Sequence, residues 1–84
     1  MVVKWYWVMR MLGSLKMGEK GKIKDLSRLD RLVKRRLLDL GISEGSEVCI
    51  KGIMPFGGPM MLESYGQCIG IRKREALQIE VERL

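Results

Sequence analysis

The sequence predicts a mainly β fold: a small, strongly bent barrel of about five strands with one α-helix inserted after the first strand. Three observations predict it. Apolar and polar residues alternate in several short runs bounded by glycine or proline, the period-two pattern of half-buried strands. One longer segment, Ser27 to Gly41, instead repeats its apolar residues at helical spacing. The chain has 84 residues, enough for one small domain. Barrel closure is how a set of short strands avoids leaving a long exposed edge.

Residues 1–10, MVVKWYWVMR, stand apart as an N-terminal extension, and residues 11–84 form the domain proper. In the extension Trp5 and Trp7 share one face of a strand with Tyr6 on the other. It reads as an extra edge strand, a partner-binding arm or a self-association arm, and a start at Met9 or Met11 would leave it outside the native chain. Gly18 and Gly21 punctuate a turn, and Ile23 flanked by Lys22 and Lys24 gives the first strand, about Gly21 to Leu26.

The helix follows, with Ser27 as its expected cap and Asp30 as the third residue of a weak capping box. Leu29, Leu32, Val33, Leu37 and Leu40 form its apolar stripe, and Arg28, Arg31, Lys34 and Arg35 lie mostly opposite. This helix should run three to four turns. Gly41 ends it, because a left-handed residue is wanted there and only glycine adopts that conformation without a Cβ penalty. Gly45 makes a second turn. Val48 and Ile50 then alternate with Glu47, Cys49 and Lys51 in the second strand, where Gly52 marks a bulge or a close backbone approach. MMLESY is the third strand, Gly66 closes a turn, and QCIGIRK is the fourth, with Ile69 and Ile71 on one face. REALQ allows a single helical turn. In the last strand Leu77, Ile79 and Val81 alternate with Gln78, Glu80 and Glu82.

Composition narrows the function classes. The chain has no histidine, so it cannot build a Ser-His or Cys-His nucleophile, and the commonest transition-metal ligand is missing. Its carboxylates are scattered, with no pair at catalytic spacing. Cys49 and Cys68 fall on the second and fourth strands, where they could be neighbours; two thiolates alone are an incomplete zinc site. No apolar run reaches the ~20 residues that span a bilayer, and no secretory signal is evident, so a cytoplasmic location is expected. The net charge of +6 points to an anionic partner: nucleic acid, a lipid surface or an acidic protein face. Arg31, Lys34, Arg35 and Arg36 gather much of that charge on the helix. Interleaved aromatics that would stack bases are missing, since only Phe56 and Tyr65 follow the extension.

The most unusual stretch is MPFGGPMML, Met54 to Leu62. A phosphate loop would need a lysine and a hydroxyl after its glycines and a helix beyond them. Here Gly57 and Gly58 lead into Pro59, which has no N–H to offer an anion, and then into a strand. The stretch therefore reads as a hairpin crossing. Met54, Phe56, Met60 and Met61 are either core filler or an apolar knob offered to a partner.

Taken together, LGSLKMGEKGKIKDL, RRLLDLGISEGSEV, MPFGGPMML and IGIRKREALQIEV resemble the FeoA family, over about Leu12 to Val81. Pro55, Gly57 and Pro59 fit the family's P-x-G-x-P loop, while Gly58 stands where an acidic residue is common. The resemblance implies an SH3-like barrel, without enzymatic activity, that serves ferrous iron uptake beside FeoB, a membrane protein with a GTPase domain. The same module ends the iron-dependent repressors of the DtxR class, where it makes regulatory protein contacts. Transition-metal association, iron above all, is also attached to the family, although this sequence shows no ligand set and the reading requires no cofactor.

The expected function is thus a non-catalytic accessory that contacts a FeoB-type transporter, at the inner face of the membrane. The expected contact residues are Arg31, Lys34 and Arg35 on the helix and Met54, Pro55, Phe56, Gly57, Gly58, Pro59, Met60 and Met61 in the loop. The alternative is a small basic barrel that binds nucleic acid.

Overall fold

Alternation becomes sheet where the sequence predicts it. The computed structural model describes residues 8–84. Five strands, β1 (Lys20–Asp25), β2 (Glu47–Ile53), β3 (Met60–Ser64), β4 (Gln67–Ile71) and β5 (Glu80–Arg83), form one antiparallel sheet in the order β4-β3-β2-β1-β5. Helix α1 (Arg31–Asp39) lies between β1 and β2, and the short helix α2 (Lys73–Ala76) lies between β4 and β5. The register shifts between Ile50 and Gly52, which is the bulge expected near Gly52, and again between Ile23 and Asp25. Such shifts bend strands and let the sheet curl around its own apolar face.

That face is the core. Ile23, Val48, Ile50, Met60, Leu62, Ile69, Ile71, Ile79 and Val81 come from the strands and their flanks, and Leu12, Leu15, Leu26, Leu29, Leu37, Ile42 and Ala76 close over them. The described residues leave no buried side-chain nitrogen or oxygen without a partner. Residues 10–12 run along the outer edge of β5. The Val81 N–H donates to Arg10 O, the Leu12 N–H donates to Ile79 O, and Met11 bridges Glu80.

The helix differs from its sequence reading at its start. Asp30, not Ser27, is the cap: its side chain accepts from the Leu32 N–H at 3.1 Å. Ser27 is held in the preceding turn by Asp25, whose carboxylate accepts the Ser27 N–H at 3.0 Å and its hydroxyl at 2.9 Å. These bonds, the backbone one foremost, hold the Asp25 carboxyl below its usual range. The helix is consequently nine residues long, about two and a half turns rather than three to four.

The shortening changes the apolar stripe. Leu37 is buried and Val33 packs against the core, but Leu29 is buried from the turn before the helix, and Leu32 and Leu40 are exposed. The helix end is as predicted. Gly41 has φ +86°, the Gly41 N–H donates to Leu38 O and the Ile42 N–H to Leu37 O. That bond pair is a Schellman motif, and Leu37 and Ile42, the residues its longer bond joins, are both buried in the core cluster.

Leu77 is the other correction. It follows α2 and precedes β5, partly exposed, with its side chain over Gly13, where a Cβ would come within 2.7 Å of Leu77 Cδ2. The paired aromatic face assigned to Trp5 and Trp7 lies outside the described residues.

Candidate functional site

The loop between β2 and β3 is a hairpin crossing, and its tip is offered to solvent. The Met54 N–H donates to Pro59 O at 3.1 Å, and within that bond the Gly58 N–H donates to Pro55 O at 3.2 Å. The two residues between, Phe56 and Gly57, have φ of +59° and +76°. Successive left-handed residues closed by such a bond are the pattern of a type I′ turn, whose first central position usually holds asparagine, aspartate or glycine. Phenylalanine there is strained. It is also fully exposed, at 103% of its reference surface. The ring therefore gains no burial in return for the strain.

The remaining loop residues divide by strand parity. Met60 faces inward and is fully buried. Met61 faces outward and is half-buried. It sits between Gly52 and Gly70, its direct partners on β2 and β4. A Cβ on Gly70 would lie 3.5 Å from Met61 Sδ, and one on Gly52 would lie 3.7 Å from Met61 Cβ. At this level the outer face of β2, β3 and β4 is thus bare backbone on either side of one thioether. Met54, partly exposed, continues it toward the tip, its Cε 4.0 Å from a Cβ placed on Gly52. Gly58 is packed on Met54, where a Cβ would meet Met54 Cβ at 2.7 Å, so this position rejects the larger residue common there.

Sequence reasoning missed the basic residues at this end. Met60 pairs with Ile71, so β4 ends beside the hairpin and delivers Arg72, Lys73 and Arg74, all exposed. Hairpin pairing fixes which end of β4 meets the loop, but the sequence reading places Arg72 and Lys73 in the fourth strand, QCIGIRK, and Arg74 in the REALQ turn; the strand in fact ends at Ile71. Glu75 anchors this corner. It is buried, and its Oε1 accepts both the Arg72 N–H at 3.2 Å and Arg36 Nη2 at 3.3 Å, tying α1 to α2.

The basic residues predicted on α1 share its solvent side but are less free than the sequence suggests. Arg35 pairs with Asp39 at 3.4 Å. Lys34 is half-buried and lines a shallow depression with Leu26, Leu38, Ser43 and Glu44. Arg31 is exposed. The link from helix to loop end runs through Arg36 and Glu75.

The cysteines are not direct neighbours. Cys49 and Cys68 both pair with Glu63, one from each side, so β3 separates them. Cys49 Sγ lies 3.8 Å from Gly18 O, and Lys51 pairs with Glu63 at 3.4 Å. Among the described residues no three of His, Cys, Asp and Glu gather as a metal-holding group, so this donor set does not fit a resident metal. No helix of the described residues is long and apolar enough to cross a membrane.

Comparison with known proteins agrees with this architecture. A search of curated proteins returns no match. Among solved structures, the FeoA protein of Chlorobium tepidum aligns at a TM-score of 0.83 with 30% identity, over 88% of this chain and 70% of that one. The FeoA-like protein of Clostridium acetobutylicum aligns at 0.75 with 34% identity, over 88% and 85%. A manganese-dependent transcriptional repressor shares the fold at 0.79 with 23% identity, over 89% of this chain and 41% of that chain. The SH3-like barrel expected from the sequence is therefore the observed one. The FeoA domain model matches residues 10–83, and the chain belongs to the FeoA family.

Proposed function

We propose that this chain is a non-catalytic accessory of ferrous iron transport that acts by docking on a partner protein, a FeoB-type membrane GTPase transporter. Membership of the FeoA family implies the role in ferrous iron transport. The docking reading rests on one observation above all: Phe56 stands fully exposed on a strained turn. A bulky aromatic held that way contributes nothing to the fold, and buried aromatic anchors are what dominate binding energy at interfaces. Met54 and the strip around Met61 add apolar surface to the same hairpin, and Arg72 to Arg74 add charge where β4 ends beside its start at Met60. The +6 charge favours encounter with an acidic face and with the anionic inner surface of the membrane around the transporter.

The test is a binding titration against the purified transporter's cytoplasmic domain. Binding at or below about tens of micromolar, weakened at least tenfold by Phe56→Ala, is expected. Absence of binding by the folded wild-type protein overturns the reading. The nucleic-acid alternative has less support, because Arg35 and Arg36 are engaged with Asp39 and Glu75. It requires an affinity that falls steeply with salt.

A further inference from the structure

The sheet has two edges, and they are treated differently. The outer edge of β5 is covered by residues 10–12. The outer edge of β4 carries no such cover among the described residues. Its bonding groups can be assigned from the register. Ser64 and Gln67 flank the Tyr65–Gly66 turn and pair with each other. In a two-residue hairpin that flanking pair exchanges both backbone bonds, and bonded and unbonded pairs then alternate. Gln67, Ile69 and Ile71 therefore bond to β3, while Cys68 and Gly70 turn their N–H and C=O groups outward.

Two further features make this edge receptive. Edges are commonly blunted by charge or proline, and β4, Gln67 to Ile71, has neither. Gly70 also leaves a notch on the outer face, walled by Met61 Sδ. At the C-terminal end of the same edge stand Arg72, Lys73 and Arg74, all exposed.

We infer that the partner's contact element is an extended segment that adds a sixth strand along Cys68–Gly70. Main-chain bonds to those two residues supply the pairing. An apolar side chain of the segment fills the notch over Gly70 against Met61. Acidic residues at one end of the segment meet Arg72 to Arg74, and this charge complementarity sets the segment's orientation. The inference rests on the docking reading above and names the chemistry that docks.

The test uses the full-length transporter in detergent as the probe. In the free protein, hydrogen exchange should be fast at the Cys68 and Gly70 amides and slow at Ile69 and Ile71. Saturating transporter should slow Cys68 and Gly70 by at least tenfold. Gly70→Pro removes an outward N–H that β3 does not use and should weaken binding at least tenfold, as should Gly70→Val, which fills the notch. Lys73→Gln with Arg74→Gln should weaken binding and reduce its salt dependence. Cys68 and Gly70 amides already protected in the free protein would overturn the inference, as would exchange at both that is unchanged by bound transporter; this wild-type readout stands even where a proline variant does not fold. Wild-type binding that a folded Gly70→Pro leaves within twofold overturns this inference alone, whereas failure of the wild type to bind overturns the docking reading with it.

Discussion

Phe56→Asn should make the protein more stable and less able to dock. Phe56 has φ +59°, and a non-glycine residue in that region costs about 1–2 kcal/mol. Asparagine tolerates it better through its short polar side chain, without the entropy that glycine adds to the unfolded chain. The ring is fully exposed, so removing it loses no burial. The net gain should be about 1 kcal/mol, which for a domain of 84 residues raises Tm by roughly 4–8 °C. Thermal melts followed by circular dichroism, checked by the urea midpoint, measure it. A Tm that is unchanged or lower would refute the reasoning, since it would mean the ring supports the fold. If stability rises while transporter binding falls, Phe56 is a residue retained for function at a cost in stability.

Other outcomes follow from the same geometry. Asp30→Ala should cost about 1 kcal/mol of stability by removing the cap at Leu32, whereas Ser27→Ala should cost less; urea titration separates the two. Leu37→Ala should cost about 2–5 kcal/mol, because Leu37 is fully buried in the core cluster. The Asp25 and Glu19 carboxyls are both held below their usual range, chiefly by the backbone N–H groups of Ser27 and Lys16. Their contribution is present above the unfolded values of about 4 and is lost as pH falls through the lower folded values, so urea midpoints at pH 7 and pH 5 should agree and then drop below pH 4. Both thiols are free, and Cys68, the more exposed, should react with a thiol reagent before Cys49, with rates unaffected by ferrous ion.

The strands were legible because alternation is a local signal, and the buried outcome of Val48, Ile50, Ile69, Ile71, Ile79 and Val81 follows it. The helix end was legible for the same reason: Gly41 answers a local backbone need. The helix start was not. Ser27 and Asp30 are both acceptable caps by residue type, and Asp25, from the preceding strand, decided between them by claiming Ser27. Leu32 matched the stripe's spacing but fell on the first turn, beyond the reach of the core. At the candidate site the hairpin was readable from its prolines and glycines, yet the conformation of Phe56 was not, because a phenylalanine gives no signal for a left-handed residue. The outward-facing edge at Cys68 and Gly70 emerges only when the register of β3 on β4 is known.

Residues 10–12 run beside β5, and the Leu84 N–H donates to Lys20 O on β1. The polypeptide thus comes into the barrel and departs from it at one side, along neighbouring strands. A unit with that geometry can be spliced into a longer chain without any linker crossing its surface. The same fold aligns with about two fifths of the manganese-dependent repressor, a longer chain. In that sense the barrel is a portable part. Residues 10–12 and β5 lie across the sheet from β4, so the far edge is the part of the sheet most remote from both ends of the described chain.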